Sequence, residues 1–145
     1  MTRIQVERSV AADQGVVWQG LADLSSHVTW MRDAESIEFL GEPRSGLGTR
    51  MRVKTVVGPL RTMDEMEVVG WEDGRSISVE HRGLIQGRGV LEAQPSGTGT
   101  LVSWTEELVF PWWLGGPITA WLARPMLAAI WRGNLRRFEG TLRSP

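Results

Sequence analysis

Three titratable side chains, Asp64, His81 and Glu106, fall on predicted inward faces of β-strands, where they could bind a polar group or move a proton. His81 and Glu106 alternate in phase with large apolar residues, which face a core. The strand that carries Asp64 buries acid on either face, so we choose the face with one carboxylate rather than two. We therefore expect two carboxyl groups and one imidazole inside the fold.

These side chains are compatible with two kinds of chemistry. Burial raises the pKa of a carboxyl group unless a donor partners it, and an imidazole or the carboxamide of Asn134 can be that donor. Together they could orient the hydroxyl or carbonyl group of a ligand, or serve as an acid–base pair for enolisation. Alternatively, they are polar residues satisfied by one another, by water or at an open rim.

The sequence contains no motif for a metal or a cofactor. It has no cysteine, no glycine-rich nucleotide loop and no HExxH pair, and its two histidines, His27 and His81, lie far apart. We predict neither a metal site nor a cofactor. His27 lies among polar residues and is predicted to be solvated.

Length and charge limit the classes of partner. The 145 residues suit a single domain over 1–145. The net charge of −1, from 16 basic and 17 acidic residues, gives no electrostatic reason to expect nucleic acid. The absence of cysteine excludes a disulfide scaffold, and the N-terminal residues lack the apolar core of a signal peptide. We therefore expect a cytoplasmic protein.

The segment 112–131 is long and apolar enough to raise the question of a membrane span. Two prolines, two glycines and Arg124 within it argue against spanning. Peripheral contact with a membrane surface remains open.

The element that must organise the fold is a long C-terminal helix. Pro117 suits its first turn and Gly140 is the next turn signal, a span of about 35 to 39 Å. Pro125 is expected to kink or break it, because proline removes a backbone hydrogen bond. Beyond Pro125 the apolar residues form one stripe, consisting of Leu127, Ile130, Trp131, Leu135, Phe138 and Leu142. The polar residues predicted opposite this stripe are Arg132, Arg136 and Glu139.

The first half of this helix has almost no polar face. Its large apolar residues are Ile118, Trp121, Leu122 and Met126. Such a surface needs cover on more than one side, or it contacts another molecule. Trp112, Trp113 and Trp121 could form a portal, a membrane contact or a homodimer contact, with tight packing inside one chain as the alternative.

Upstream, the patterns predict one strand, two short helices and six further strands. The first strand covers 2–10, one helix follows Asp13 and another short turn or helix covers 25–31. The later strands are predicted at 36–40, 48–57, 60–71, 75–82, 85–93 and 100–110. Because the connections are short and contain Gly, Pro or Asp, these strands should form an antiparallel meander.

This order of elements is that of the helix-grip fold, and the residues themselves resemble the polyketide cyclase/dehydrase and lipid-transport family. That family belongs to the START-like (SRPBCC) group, which includes birch-pollen-allergen-like proteins. The resemblance lies in VERSVAADQGVVWQGLADL, WMRDAESIEFLG, GLGTRMRV, VGPLRTMDEMEVVGWEDGRSISVEH, GTGTLVSWTEELVFP and NLRRFEG. It implies an α+β fold, with a curved seven-stranded antiparallel sheet around the long helix and two short helices between the first two strands.

The resemblance also implies a cavity between sheet and helix that binds a small apolar or amphipathic molecule. It would place Asp64, His81, Glu106 and Asn134 on the cavity wall. Trp30, Trp104, Trp131 and Phe138 would stack on a flat ligand, or are ordinary core. The full set of predicted ligand-binding residues is Trp30, Met51, Val53, Asp64, Met66, His81, Trp104, Glu106, Ile130, Trp131, Asn134 and Phe138.

Three functions remain open at this point. The leading one is a non-catalytic binder or carrier of a small hydrophobic ligand such as a lipid or polyketide. The second is a cyclase, aromatase or dehydratase that uses His81 with Asp64 or Glu106. Cyclases of the family are thought to use cavity arginine and tyrosine, whereas this chain has no tyrosine and its strand arginines mostly face outward. The third is an interaction module that docks on a membrane or a second subunit.

Overall fold

Seven antiparallel strands form one sheet, and a 27-residue helix follows them at the end of the chain. The computed structural model describes residues 2–142. The strands are β1 (Thr2–Val10), β2 (Ala34–Leu40), β3 (Arg50–Val57), β4 (Leu60–Glu72), β5 (Ser76–Arg82), β6 (Gln86–Ser96) and β7 (Gly99–Val109). The helices are α1 (Gln14–Ala22), α2 (His27–Trp30) and α3 (Gly116–Leu142), with short 3₁₀ turns at Leu24–Ser26 and Trp112–Leu114.

The strand order explains how one sheet can enclose a helix. Strands β2 to β7 follow one another as hairpins, and β1 adds to the far side of β7, giving the order β1-β7-β6-β5-β4-β3-β2. Helix α3 lies close to β1 and β7, while its approach to the middle strands is looser. The predicted helix-grip fold is confirmed, and space remains between α3 and the middle of the sheet.

The apolar face of α3 packs against this sheet and against the two short helices. Leu127, Trp131, Leu135 and Phe138 are buried, and α1 contributes Val17, Trp18 and Leu21 to the same core. Burial of a large apolar side chain contributes about 1.5 to 3 kcal/mol to stability. The second half of α3 is therefore the part that holds the helix on the sheet.

Of the kink or break expected at Pro125, the break does not occur, since α3 is continuous from Gly116 to Leu142. Pro125 leaves the carbonyl of Trp121 without its usual partner. Because Trp121 and Pro125 both lie on the exposed side of the helix, water can bind that carbonyl, and the helix can continue.

The predicted outward position of Glu139 is wrong. Its side chain is buried and accepts hydrogen bonds from Arg8 Nε at 2.8 Å and from the backbone N–H of Ala11 at 3.2 Å. The helix meets the end of β1 at this point, so a position that faces water in an isolated helix faces a strand here.

Candidate functional site

A cavity of about 340 Å³ lies between α3 and the sheet. Side chains from β2 to β7, α2 and α3 line it, and most of its wall is apolar. Leu60 at the start of β4 and Met126 on α3 line the cavity and are also exposed, so the mouth lies between the β3–β4 turn and the first half of α3.

A cluster of three side chains forms the main polar feature of the wall. His81 Nε2 lies 2.7 Å from Glu106 Oε2, and Trp104 Nε1 donates a hydrogen bond of 3.0 Å to Glu106 Oε1. Both oxygens of the carboxylate are therefore engaged. Among residues 2–142, no group partners His81 Nδ1, which is the ring nitrogen left to meet a ligand.

The surroundings of His81 favour its protonated form. Burial by itself lowers the pKa of an imidazole, but the charge of Glu106, its hydrogen bond and the charge of Asp64 together outweigh burial and raise the pKa of His81 above 6.5. An imidazolium donates from both ring nitrogens, so Nδ1 would offer a proton to a ligand oxygen.

Two glycines leave the space that the acidic side chains fill. Gly89 on β6 pairs with Glu106 on β7, and a Cβ at Gly89 would lie 2.5 Å from Glu106 Oε1. A Cβ at Gly83 would likewise collide with the Asp64 carboxylate. Any larger residue at these positions would push the carboxylates out of place. In the sequence, the Gly87-Arg88-Gly89 run was the available signal for the space at Gly89.

Asp64 is held in place by a neighbour on its own strand and by the turn between β5 and β6. Thr62 Oγ1 donates to Asp64 Oδ2 at 2.9 Å, and the backbone N–H of Leu84 donates to Oδ1 at 3.2 Å. Asp64 is buried while Glu65 is exposed, as the choice of strand face predicted. Its carboxylate lines the cavity and adds negative charge to the wall near His81.

Eight of the twelve predicted ligand-binding residues line the cavity: Met51, Val53, Asp64, Met66, His81, Trp104, Glu106 and Trp131. Their contact with a ligand stays a prediction. Trp30, Ile130, Asn134 and Phe138 do not line it, and their predicted place on the wall is wrong. Trp30 and Phe138 are buried against each other, with ring centroids 5.1 Å apart, so they belong to the packed core.

Asn134 ties the helix to the loop before β2 instead of facing the cavity. Its Nδ2 donates to Asp33 Oδ1 at 2.7 Å, and its Oδ1 accepts from the backbone N–H of Arg32 at 3.1 Å. Asp33 also accepts a hydrogen bond from Trp131 Nε1 at 3.3 Å and lines the cavity. Asp33 was not predicted, because a carboxylate in a loop gives no periodic signal.

The position of His27 was also predicted wrongly, since its side chain is buried and lines the cavity. Its Nε2 donates to the carbonyl of Leu21 at 2.7 Å, and burial lowers its pKa to about 4. Its polar neighbours Ser25 and Thr29 are exposed, while the side chain of His27 turns inward. The surroundings of the two wall histidines therefore shift their pKa values in opposite directions.

Two tryptophans join sheet and helix across the cavity. Trp104 on β7 and Trp131 on α3 stack with centroids 5.2 Å apart and planes 21° apart. Trp104 also holds Glu106, and Trp131 also binds Asp33. The stack therefore connects Glu106 on the sheet side of the wall with Asp33 on the helix side.

Trp112, Trp113 and Trp121, for which several roles were open, are all exposed. Tight packing inside the chain is excluded for them. No helix within residues 2–142 is long and apolar enough to cross a bilayer. The same residues contain no group of three or more His, Asp or Glu side chains arranged to hold a metal ion.

Comparison with solved structures shows the same fold in proteins of low identity. Protein TTHA0849 from Thermus thermophilus is 21% identical, with 97% of each chain covered and a TM-score of 0.74. The Zhui aromatase/cyclase from Streptomyces sp. R1128 is 19% identical over 97% of this chain and 93% of its own, with a TM-score of 0.71. Major latex-like protein 151 from Panax ginseng is 11% identical over 99% and 98%, with a TM-score of 0.73.

No protein of curated function matches the sequence. The family described as "Polyketide cyclase / dehydrase and lipid transport" matches residues 1–144, nearly the full length. Strand order, long C-terminal helix and cavity agree with this match, and the chain belongs to that family.

Proposed function

We propose that this protein binds or carries a small, neutral, apolar molecule with one hydroxyl or carbonyl group. The observation that carries the proposal is the cavity of about 340 Å³, apolar over most of its wall and furnished with one polar cluster. Small-molecule sites usually span about 300 to 1,000 Å³, so this one suits a small ligand.

Affinity would come mainly from the apolar wall. Burial of apolar surface contributes about 25 cal/mol per Å², so a ligand that buries about 300 Å² would gain roughly 7 kcal/mol before ordering costs. One hydrogen bond adds about 0.5 to 1.5 kcal/mol. The polar cluster therefore serves orientation and selection more than affinity.

The charges of the wall favour a neutral ligand over an anionic one. Asp33, Asp64 and Glu106 line the cavity, and among the described lining residues only His81 has a pKa that its surroundings shift in favour of a positive charge. A carboxylate ligand would meet more negative than positive charge. A hydroxyl or carbonyl oxygen can accept a hydrogen bond from His81 Nδ1 without that cost.

Displacement of a neutral fluorescent probe, N-phenyl-1-naphthylamine, tests this proposal. We expect dodecanol to displace the probe at a concentration about tenfold or more below that of dodecanoate, because only dodecanoate adds a negative charge to those of the acidic wall residues. Equal displacement, or preference for the acid, would contradict the charge argument.

A matched pair of helix variants tests whether the ligand binds in the cavity. Ala123 on α3 lines the cavity, while Ala129 on the same helix is exposed. Ala123→Trp should fill the space and abolish probe binding, and Ala129→Trp should leave it unchanged. Native mass spectrometry of the purified protein would then show a bound ligand in the parent protein and in A129W only. Probe binding that survives in A123W would refute the site.

An enzyme of the cyclase or dehydratase type is the second candidate, favoured by the His81–Glu106 contact at 2.7 Å inside the cavity. In a dehydration, protonated His81 would give a proton to the departing hydroxyl, and Asp64 would take one from the neighbouring carbon. Against this, no arginine lines the cavity among the described residues, and the chain has no tyrosine. Loss of one water from a poly-β-ketone thioester, abolished by His81→Gln, would establish catalysis.

A further inference from the structure

The first half of α3 and the 3₁₀ turn before it carry an uncovered apolar surface, here called the mouth patch. It consists of Trp112, Trp113, Ile118, Trp121, Leu122 and Met126, whose exposed fractions range from 51% to 86%. Together they expose roughly 900 Å², well above the few hundred Å² typical of a soluble monomer. Exposure of this size indicates a partner.

The mouth patch adjoins the entrance to the cavity at Met126. Met126 belongs to the patch and also lines the cavity. Thr119 and Ala123, on the same half of α3, line the cavity as well. Leu60, exposed across the mouth, extends the apolar surface to the β3–β4 turn. A partner that covers the patch therefore also covers the entrance.

The segment that carries the patch has charges of one sign only. Residues 110–138 contain four arginines and no acid. On the exposed face of α3, the stripe that begins with Ile118 and Leu122 continues through Ala129 to Arg132 and Arg136. Arg124 is exposed beside the patch. Apolar side chains followed by arginines on one helix face are typical of a helix that lies in a bilayer interface.

These features distinguish a membrane from a second copy of the chain. In a two-fold dimer the patch would meet itself, bringing Arg124 of both copies together with no acid from the segment to neutralise them. An anionic bilayer supplies acyl chains for the tryptophans and phosphate groups for the arginines.

We propose that the mouth patch docks the protein on an anionic lipid bilayer, with Trp112, Trp113 and Trp121 inserted and the cavity mouth against the membrane. A docked mouth lets an apolar ligand pass between bilayer and cavity without crossing water. The docking itself does not depend on which ligand is carried.

Vesicle flotation with the full chain tests the proposal. We expect the protein to float with phosphatidylcholine vesicles containing roughly one third phosphatidylglycerol, and more weakly with pure phosphatidylcholine. Trp112→Ser and Trp121→Ser should each weaken binding about tenfold, and Arg124→Gln about fivefold on the anionic vesicles only. Leu47→Ser is the matched control, since Leu47 is 68% exposed in the loop at the opposite end of β3 and should leave binding unchanged.

Quenching by brominated lipid gives a second measurement on the unmodified protein. Acyl-chain bromine should quench the three exposed tryptophans, and the quenching should fall in the two serine variants. Absence of flotation with either vesicle, or equal flotation of the control and the tryptophan variants, would overturn the proposal. So would a dimer in sedimentation velocity that Trp121→Ser converts to a monomer, with no vesicle binding.

Discussion

Protonation of His27 should destabilise the protein in mild acid. The pKa of His27 is lowered by burial to about 4 in the folded protein, against 6.5 for an ordinary histidine. Its contribution to stability is present above the unfolded pKa and is lost as pH falls from about 6.5 towards 4. A difference of about 2.5 units corresponds to about 3 kcal/mol at most, of which roughly 2 kcal/mol is lost by about pH 5.

Urea unfolding of the parent protein and of His27→Gln, each near pH 7 and near pH 5, isolates this effect. Gln can still donate to the Leu21 carbonyl that His27 Nε2 binds, but it does not titrate. All other groups titrate alike in both proteins, so the parent should lose about 2 kcal/mol more than the variant.

Equal losses in the two proteins would refute the assignment of His27 as a buried neutral group. A direct measurement is available in case the variant folds poorly. The chain has only two histidines, so an NMR titration of their ring carbons resolves both. His27 should remain mostly neutral down to about pH 5 and titrate near pH 4, and a midpoint near the ordinary value would contradict the structure.

The remaining predictions concern the polar cluster. Glu106→Gln should lower the pKa of His81, because the variant removes the charge and weakens the hydrogen bond that raise it; an unchanged midpoint in the NMR titration would show that Glu106 does not control His81. In the parent protein the pair contributes stability below about pH 6.5 that is lost as pH rises through the raised pKa, so the stability gap between parent and variant should narrow above that pH. Gly89→Ala should displace the Glu106 carboxylate and lower the free energy of unfolding in urea by about 1 to 3 kcal/mol. The control is Gly140→Ala, where a Cβ meets open space, and it should be neutral or stabilising. Equal effects of the two variants would show that Gly89 does not leave the space that Glu106 fills.

The fold was predictable because the strands alternate regularly and short turns separate them. Every predicted strand end lies within three residues of the observed one, and the face choice for Asp64 was correct. Alternation fails where an element is short or irregular. His27 sits in a single helical turn and Asp33 in a loop, so neither position carries a period from which its burial could be predicted.

The long helix shows a second limit of prediction from sequence. A helical period tells which residues share a face, but it does not tell what each part of that face meets. Asn134 lies within the apolar stripe, yet the loop before β2 covers it, while Trp131 one turn earlier reaches the cavity. Glu139 lies off the stripe but meets Arg8 on β1. Such contacts join elements that lie far apart in the sequence, so the helical period alone cannot predict them.

The residues of the polar cluster and the glycines beside the cavity acids contribute less to the stability of the fold than well-packed apolar residues would. A buried ion pair such as His81–Glu106 contributes little net stability, because desolvation offsets most of the attraction. Gly83 and Gly89 lie beside the cavity acids, and a glycine in or next to a strand lowers stability further. An apolar residue at Glu106 with a larger residue at Gly89 would pack the same space at lower cost. Gly83 beside Asp64 and Gly89 beside Glu106 both depart from good packing at the cavity wall, and such departures are typical of positions that serve a site rather than folding.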